Sequence, residues 1–186
     1  MTASGRYWVI GTPAAGKSTL ARRLAAVLDL PHVELDDSFW AANWTPVEPD
    51  TFLHTVGGLL DAPGWVVDGQ YAGAVAAYAD RAHAVIWVDT PWWVSLPRLI
   101  RRTARRARRG DPLWSAGNVE TWRHAIGRDS ILWYAIAVHR AQRRANADLF
   151  RRLAPRGVRV LRVRRPDADA LAARLRTTAH DKGVHE

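Results

Sequence analysis

Eight consecutive residues, Gly11-Thr-Pro-Ala-Ala-Gly16-Lys17-Ser18, fill every fixed position of the pattern G-x-x-x-x-G-K-[ST]. That spacing suits one kind of chemistry. Two glycines let the backbone turn tightly enough for several N–H groups to converge on phosphate oxygens. A helix beginning near Lys17 adds its positive end. The Lys17 ammonium can reach outer phosphates, and the Ser18 hydroxyl is suited to Mg²⁺. The expected nucleotide contacts are Gly11, Ala14, Ala15, Gly16, Lys17, Ser18 and Thr19.

Two carboxylates, Asp36 and Asp68, each follow a predicted strand. Open α/β sheets bind ligands at such strand ends. Asp36 is expected to orient or deprotonate an acceptor hydroxyl. Phe39, Trp40 and Trp44 lie beyond it, and Gln70 and Tyr71 follow Asp68. Seven arginines crowd the stretch from Arg98 to Arg109 with no acid between them. Such a run repels itself and calls for an anionic partner. Arg102 and Arg123 are expected to grip triphosphate oxygens bidentately. Asp89, before Thr90-Pro91, is expected to be structural, as a helix cap. The seven histidines are scattered without metal-ligand spacing and are expected to be structural or solvated.

These residues need elements to hold them. Arg6–Ile10, His32–Leu35, Trp65–Val67, Ala82–Val88 and Arg159–Val163 read as strands. Lys17–Leu28, Pro49–Asp61, Trp92–Arg109, Val119–Phe150 and Asp167–Thr177 read as helices, with a break expected near Gly127. In the arginine-rich helix the expected core side is Trp93, Leu96, Ile100, Ala104 and Ala107. Strands alternating with helices imply an α/β sheet, mostly parallel and covered on both faces.

Length and composition narrow the field. At 186 residues and 48% hydrophobic content, one folded domain is expected over residues 1–186. Absence of cysteine excludes a disulfide scaffold, a thiolate zinc site and a cysteine nucleophile. No apolar run approaches the roughly 20 residues of a spanning helix. The first ten residues lack a signal-peptide pattern, so a soluble cytoplasmic protein without a membrane partner is expected. The net charge of +9 is partitioned: +4 over residues 1–23, −9 over 24–80 and +14 over 81–186. Residues 24–80 contain no Lys or Arg, so this third of the chain would repel phosphate.

The loop through Thr19, Glu34-Leu-Asp-Asp37, Trp65-Val-Val-Asp-Gly69, Asp89-Thr-Pro91, and the spacing Pro91-x₆-Arg98-x₃-Arg102 together resemble small P-loop kinases. The group is that of the nucleoside monophosphate kinases, and within it the adenylate-kinase-like DNA topology modulation proteins. The resemblance implies a P-loop NTPase three-layer sandwich with a parallel five-stranded sheet of order 2-3-1-4-5. It implies an acceptor-binding region over about 36–62, with Phe39, Trp40, Trp44, Gln70 and Tyr71 facing the acceptor, and a helical lid over about 106–130. It further implies ATP and Mg²⁺ as cofactors, Arg98 against the adenine, Arg102 on the phosphates, and Asp68 holding Mg²⁺ through water. Monophosphate kinases hold the acceptor phosphate with an arginine of the acceptor region, and none lies here between Arg23 and Arg81. Gln70-Tyr71 stands where adenylate kinases carry Pro-Arg. An aromatic, acidic pocket suits a neutral or cationic small-molecule acceptor without its own phosphate. The expected activity is transfer of the γ-phosphoryl of Mg-ATP to such an acceptor. Two alternatives stand beside it: a nucleic-acid-associated ATPase, and a nucleotide-binding protein with little turnover. The basic second half favours the former and the acidic block opposes it.

Overall fold

In a computed structural model, which describes residues 5–121 and 131–181, the phosphate loop and the acidic residues extend from one parallel sheet. Its strands are β1 (Arg6–Ile10), β2 (His32–Glu34), β3 (Trp65–Asp68), β4 (Ala84–Val88) and β5 (Arg159–Val163). Their spatial order is β2-β3-β1-β4-β5, all parallel. Val9 is in register with Asp68, and Asp68 with Glu34. This alignment brings Gly11, Asp68 and Asp36 to the same carboxyl edge.

The two-residue period of β1 sorts the core. Tyr7 and Val9 point to one face and join Leu20, Leu24 and Leu28 of α1 (Lys17–Leu28) with Leu171 and Leu175 of the C-terminal helix. Trp8 and Ile10 point to the other face. There they meet Phe52 and Val56 of α3 (Pro49–Leu59), Ala74 and Val75 of α4 (Ala72–Tyr78), and Leu149 and Leu153 of α6 (Ile131–Leu153). The C-terminal helix is α7 (Ala168–Asp181). Trp8 and Trp65 are fully buried and donate their indole N–H groups to the carbonyls of Gly69 (3.0 Å) and Leu60 (3.2 Å). Buried indoles need such partners, and both find them on the main chain.

Leu35, read from sequence as the end of a strand, opens the short helix α2 (Leu35–Phe39). α3 begins where expected because Pro49 occupies its first turn and Glu48 accepts from the N–H groups of Asp50 (2.9 Å) and Thr51 (3.1 Å). Val119, read from sequence as the start of a helix, instead lies in a two-residue strand, Asn118–Val119, paired with Pro112–Leu113. The expected break near Gly127 lies outside the described residues.

One expectation is reversed in α5 (Trp92–Arg109). Its buried positions are Ser95, Leu99 and Thr103, not Trp93 and Ile100, which are exposed. The reason is the company of the buried face. Ser95, Leu99 and Thr103 lie on the side that also carries Arg102 and Arg106, and this side faces the carboxylates of the site. Apolar periodicity reads the more hydrophobic arc as core, but here the polar arc is turned inward.

Candidate phosphoryl-transfer site

The loop after β1 is shaped by backbone constraint. Gly11 has φ +151°, and a Cβ there would meet the Val88 carbonyl oxygen at 2.5 Å. Gly16 has φ +100° and precedes α1. No side chain caps α1 and no acid occupies its first turn, so its leading N–H groups remain available to an anion. Between the glycines, Ala14 takes a left-handed φ of 56° and the Ala15 N–H donates to the Thr12 carbonyl at 3.2 Å. The Ala15 carbonyl accepts from the Thr90 hydroxyl at 2.9 Å, fixing the loop to the strand beside it. Ser18 is half-buried at the start of α1, and Thr19 is exposed.

Lys17 donates from Nζ to the Thr12 carbonyl at 3.1 Å. Desolvation inside the loop pushes its pKa below the ordinary value. Asp36, Asp68 and Glu34 pull it back up, and Arg102 adds to the depression. The Arg102 guanidinium is itself pushed down by burial and by Arg106, against the pull of Glu120, Asp36 and Glu34. Lys17 thus feels Asp36, Asp68 and Arg102, and Arg102 feels Asp36, although these residues are far apart in sequence. Arg102 Nε is buried without a hydrogen-bond partner. Arg98 lies exposed on α5, and Arg123 lies outside the described residues.

Asp68 is the best seat for a cation. It is 2% exposed, and its Oδ2 is a buried oxygen without a hydrogen-bond partner. His32 Nε2, 3.9 Å away, is likewise without one. Among the described residues no group of three His, Asp or Glu gathers to hold a metal alone. Mg²⁺ keeps several waters and takes one or two protein ligands together with phosphates. Ser18 and Asp68 fit that role.

On the acceptor side, the Tyr71 hydroxyl donates to Asp36 Oδ1. Phe39 packs on Tyr71 (4.3 Å between ring centroids), Phe52 (5.2 Å) and Trp40 (4.9 Å). Trp40 continues edge-on to Trp44 (5.7 Å), and Trp44 to Trp114 (5.5 Å). Trp114 belongs to the stretch read as lid. Its indole donates to Glu34 Oε1 at 3.1 Å, and the neighbouring Ser115 N–H donates to Asp37 Oδ1 at 2.6 Å. Asn118 accepts from the Trp44 N–H (2.9 Å) and donates to the Ala41 carbonyl (2.9 Å), while the Trp44 indole donates to the Val119 carbonyl (3.1 Å). Residues 114–119 are therefore clasped onto residues 34–44. Part of the acidic block has its partners here, in Trp114 and Ser115.

Gln70, expected to face the acceptor, is engaged at both ends of its amide. Its Oε1 accepts the Gly11 N–H at 3.0 Å and its amide nitrogen donates to the fully buried Asn146 of α6. Its oxygen thereby braces the phosphate loop. Asp89 is structural as expected, but not as a cap. The N-terminus of α5 has no side-chain cap, and Asp89 instead accepts from Arg143 (3.0 Å) and Arg162 (2.8 Å). Arg162 also lies over the Trp87 ring, 4.7 Å from its centroid. No local sequence signal marks Arg143, Arg162 or Asn146, because each meets its partner from more than fifty residues away.

No family model and no curated protein matches the sequence. Among solved structures, the chain is similar to the shikimate kinase of Aquifex aeolicus VF5, with a TM-score of 0.56 and 12% identity over 97% of this chain and 99% of that one. The likeness shows that the chain has a P-loop kinase-like fold.

Proposed function

We propose that the protein is a Mg-ATP-dependent phosphotransferase that moves the γ-phosphoryl to a hydroxyl of a small molecule lacking its own phosphate. The observation that carries this reading is an uncapped helix start bearing Lys17 at the same sheet edge as Asp36 and Asp68, with the buried, unpartnered Nε of Arg102. Phosphoryl transfer is mostly positioning and charge neutralisation, and these groups supply both. The loop N–H groups from Gly11 to Thr19 and the Lys17 ammonium bind and orient the phosphates. Ser18 and Asp68 would hold Mg²⁺, which supplies charge neutralisation at the phosphate oxygens. Arg102 faces the developing charge from α5, with Arg123 proposed to join it. Arg98 is proposed to lie against the adenine. Asp36 takes the acceptor proton, and Tyr71 holds its carboxylate in place. The Trp40–Trp44–Trp114 chain walls the acceptor from water. The absence of Lys and Arg over residues 24–80 supports an acceptor that is neutral or cationic. The finer resemblance to topology modulation proteins belongs to the same reading, as a variant of the kinase architecture.

The test is a γ-phosphate transfer screen against nucleotides, nucleosides and amino sugars, with ATP hydrolysis as background. Transfer to a non-phosphorylated acceptor, lost in Asp36→Asn, is expected. Tight Mg-ATP binding without transfer to any of the three pools would overturn the kinase reading.

A further inference from the structure

Three of the five large apolar side chains exposed among the described residues belong to α5: Trp92 (53%), Trp93 (65%) and Ile100 (47%). At about 100° per residue, Trp93, Leu96, Ile100 and Ala104 fall within an arc of about 80°. Arg101, Arg105 and Arg108 occupy the adjoining arc of about 60°, and all three are exposed. The two arcs meet in an open groove of about 470 Å³ lined by Ile100, Arg101, Ala104, Arg105, Arg108 and Arg109. The helix carries no acid.

We propose that this face docks α5 lengthwise on an anionic lipid bilayer. Charge complementarity chooses the partner. An interfacial helix sinks an apolar arc just below the headgroups and keeps basic residues at its border. Trp93 and Ile100 supply the first, and Arg101 and Arg108 the second, their stems covering apolar surface while their guanidinium groups reach lipid phosphates. Trp92 and Trp93 stand edge-on to each other at the N-terminal end, and indoles favour the headgroup level. The 18-residue helix is about 27 Å long, so Trp93 at one end and the arginine groove towards the other can engage one plane together.

Two other partners fit this face less well. A second copy related by a two-fold axis through α5 would set arginines against arginines. A nucleic-acid backbone would neutralise the arginines but leave Trp93 and Ile100 in water. No helix among the described residues is long and apolar enough to cross a membrane. Lying on a surface needs no span, because one exposed face suffices. The proposal stands apart from the kinase reading, since it uses the outward arcs of α5 and not Arg102.

The experiment is co-sedimentation of the full chain with vesicles of phosphatidylcholine alone or with about one-third phosphatidylglycerol, across a salt series. Binding to the anionic vesicles, weakened by salt and absent on the neutral ones, is expected. Each arginine contributes about fivefold to such partitioning, so R101Q/R108Q should weaken it about 25-fold. W93S/I100S should weaken it at least about tenfold and remove a blue shift of the tryptophan emission on binding. Unchanged circular dichroism and Mg-ATP binding verify that each variant is folded. Should W93S/I100S fail that control, R101Q/R108Q carries the test alone. Equal binding to both vesicle types, no binding to either, or full binding by R101Q/R108Q overturns the proposal. So does binding of a single-stranded oligonucleotide that needs the arginines, ignores W93S/I100S, and occurs without any vesicle binding.

Discussion

The proposed nucleotide end and the proposed acceptor end of the site are held together by different means. At the nucleotide end the turn is closed locally, by the Ala15–Thr12 and Lys17–Thr12 bonds, and braced by Gln70 and Thr90 from the adjoining strand ends. At the acceptor end the bonds that tie residues 114–119 to residues 34–44 join positions 74 to 80 apart, and indoles make two of them. Trp44 and Trp114 both sit in left-handed backbone, with φ of 58° and 54°. A bulky residue adopts that conformation only where its surroundings hold it there. The nucleotide end can therefore form as the sheet forms. The acceptor end depends on a clasp of partly exposed hydrogen bonds, each worth about 1 kcal/mol, which can open and close.

Mutations can break or sharpen this contrast. The largest effect is expected from Asp36→Asn, which should cut turnover about 10²–10⁴-fold while Mg-ATP affinity stays within a few fold. A matching loss of affinity in calorimetry would assign Asp36 to the nucleotide end. Next comes Lys17→Met. It should weaken Mg-ATP binding by about 10–100-fold, the worth of a hydrogen bond to a charged group. It should not lower thermal stability, because the buried ammonium costs desolvation in the free protein.

The sign of the pH effect follows from the same group. Between the depressed folded pKa of Lys17 and its ordinary 10.5, the unfolded chain binds more protons than the native one. Stability of the free protein should gain from Lys17 as pH rises through that window. Mg-ATP affinity should fall over the same range. Denaturant melts and calorimetry on wild type and Lys17→Met separate the two trends, and parallel trends would contradict this role for Lys17.

Gln70→Leu leaves the Gly11 N–H without its partner and should cost about 1–3 kcal/mol, seen in Mg-ATP affinity. Tyr71→Phe, one residue on, should lower turnover and spare that affinity. If both variants behave alike, the boundary between the two ends does not run between these neighbours. The smallest effect is expected from Trp114→Phe, which removes the bond to Glu34, about 0.5–1.5 kcal/mol. Amide exchange across residues 112–119 should quicken while nucleotide affinity is unchanged.

What the sequence makes legible follows the same division. The phosphate loop is a contiguous motif, and its strand and helix flank it, so Gly11 through Thr19 are readable directly. β1, β3 and β4 are readable because each is a short, mostly apolar run ending at a turn former. Gln70 is not, because its partners, Gly11 and Asn146, lie 59 and 76 residues away. The clasp is hidden for the same reason, and Trp114 reads as one more loop tryptophan until Glu34 is beside it. α5 fails in a more instructive way. Its apolar arc is genuine, but periodicity reports that an arc exists, not whether it is buried. A helix that must bring Arg102 and Arg106 to carboxylates buries a polar arc and leaves the apolar one outside.

Asp89 carries a consequence for the order in which the chain is made. Its carboxylate is 3% exposed, and its counter-ions Arg143 and Arg162 lie 54 and 73 residues downstream. During synthesis, β1 to β4 emerge before either arginine. An unpaired carboxylate costs several kcal/mol to bury, so until then the end of β4 must stay in water. Arrival of β5 completes the sheet, and with it the Arg162 partner of that charge, in one step. A nascent chain arrested before Arg143 holds four strands of apolar surface and an unpaired carboxylate that opposes their closure. Arg143 relieves that charge first, and the last strand, with Arg162, completes both the sheet and the ion pair.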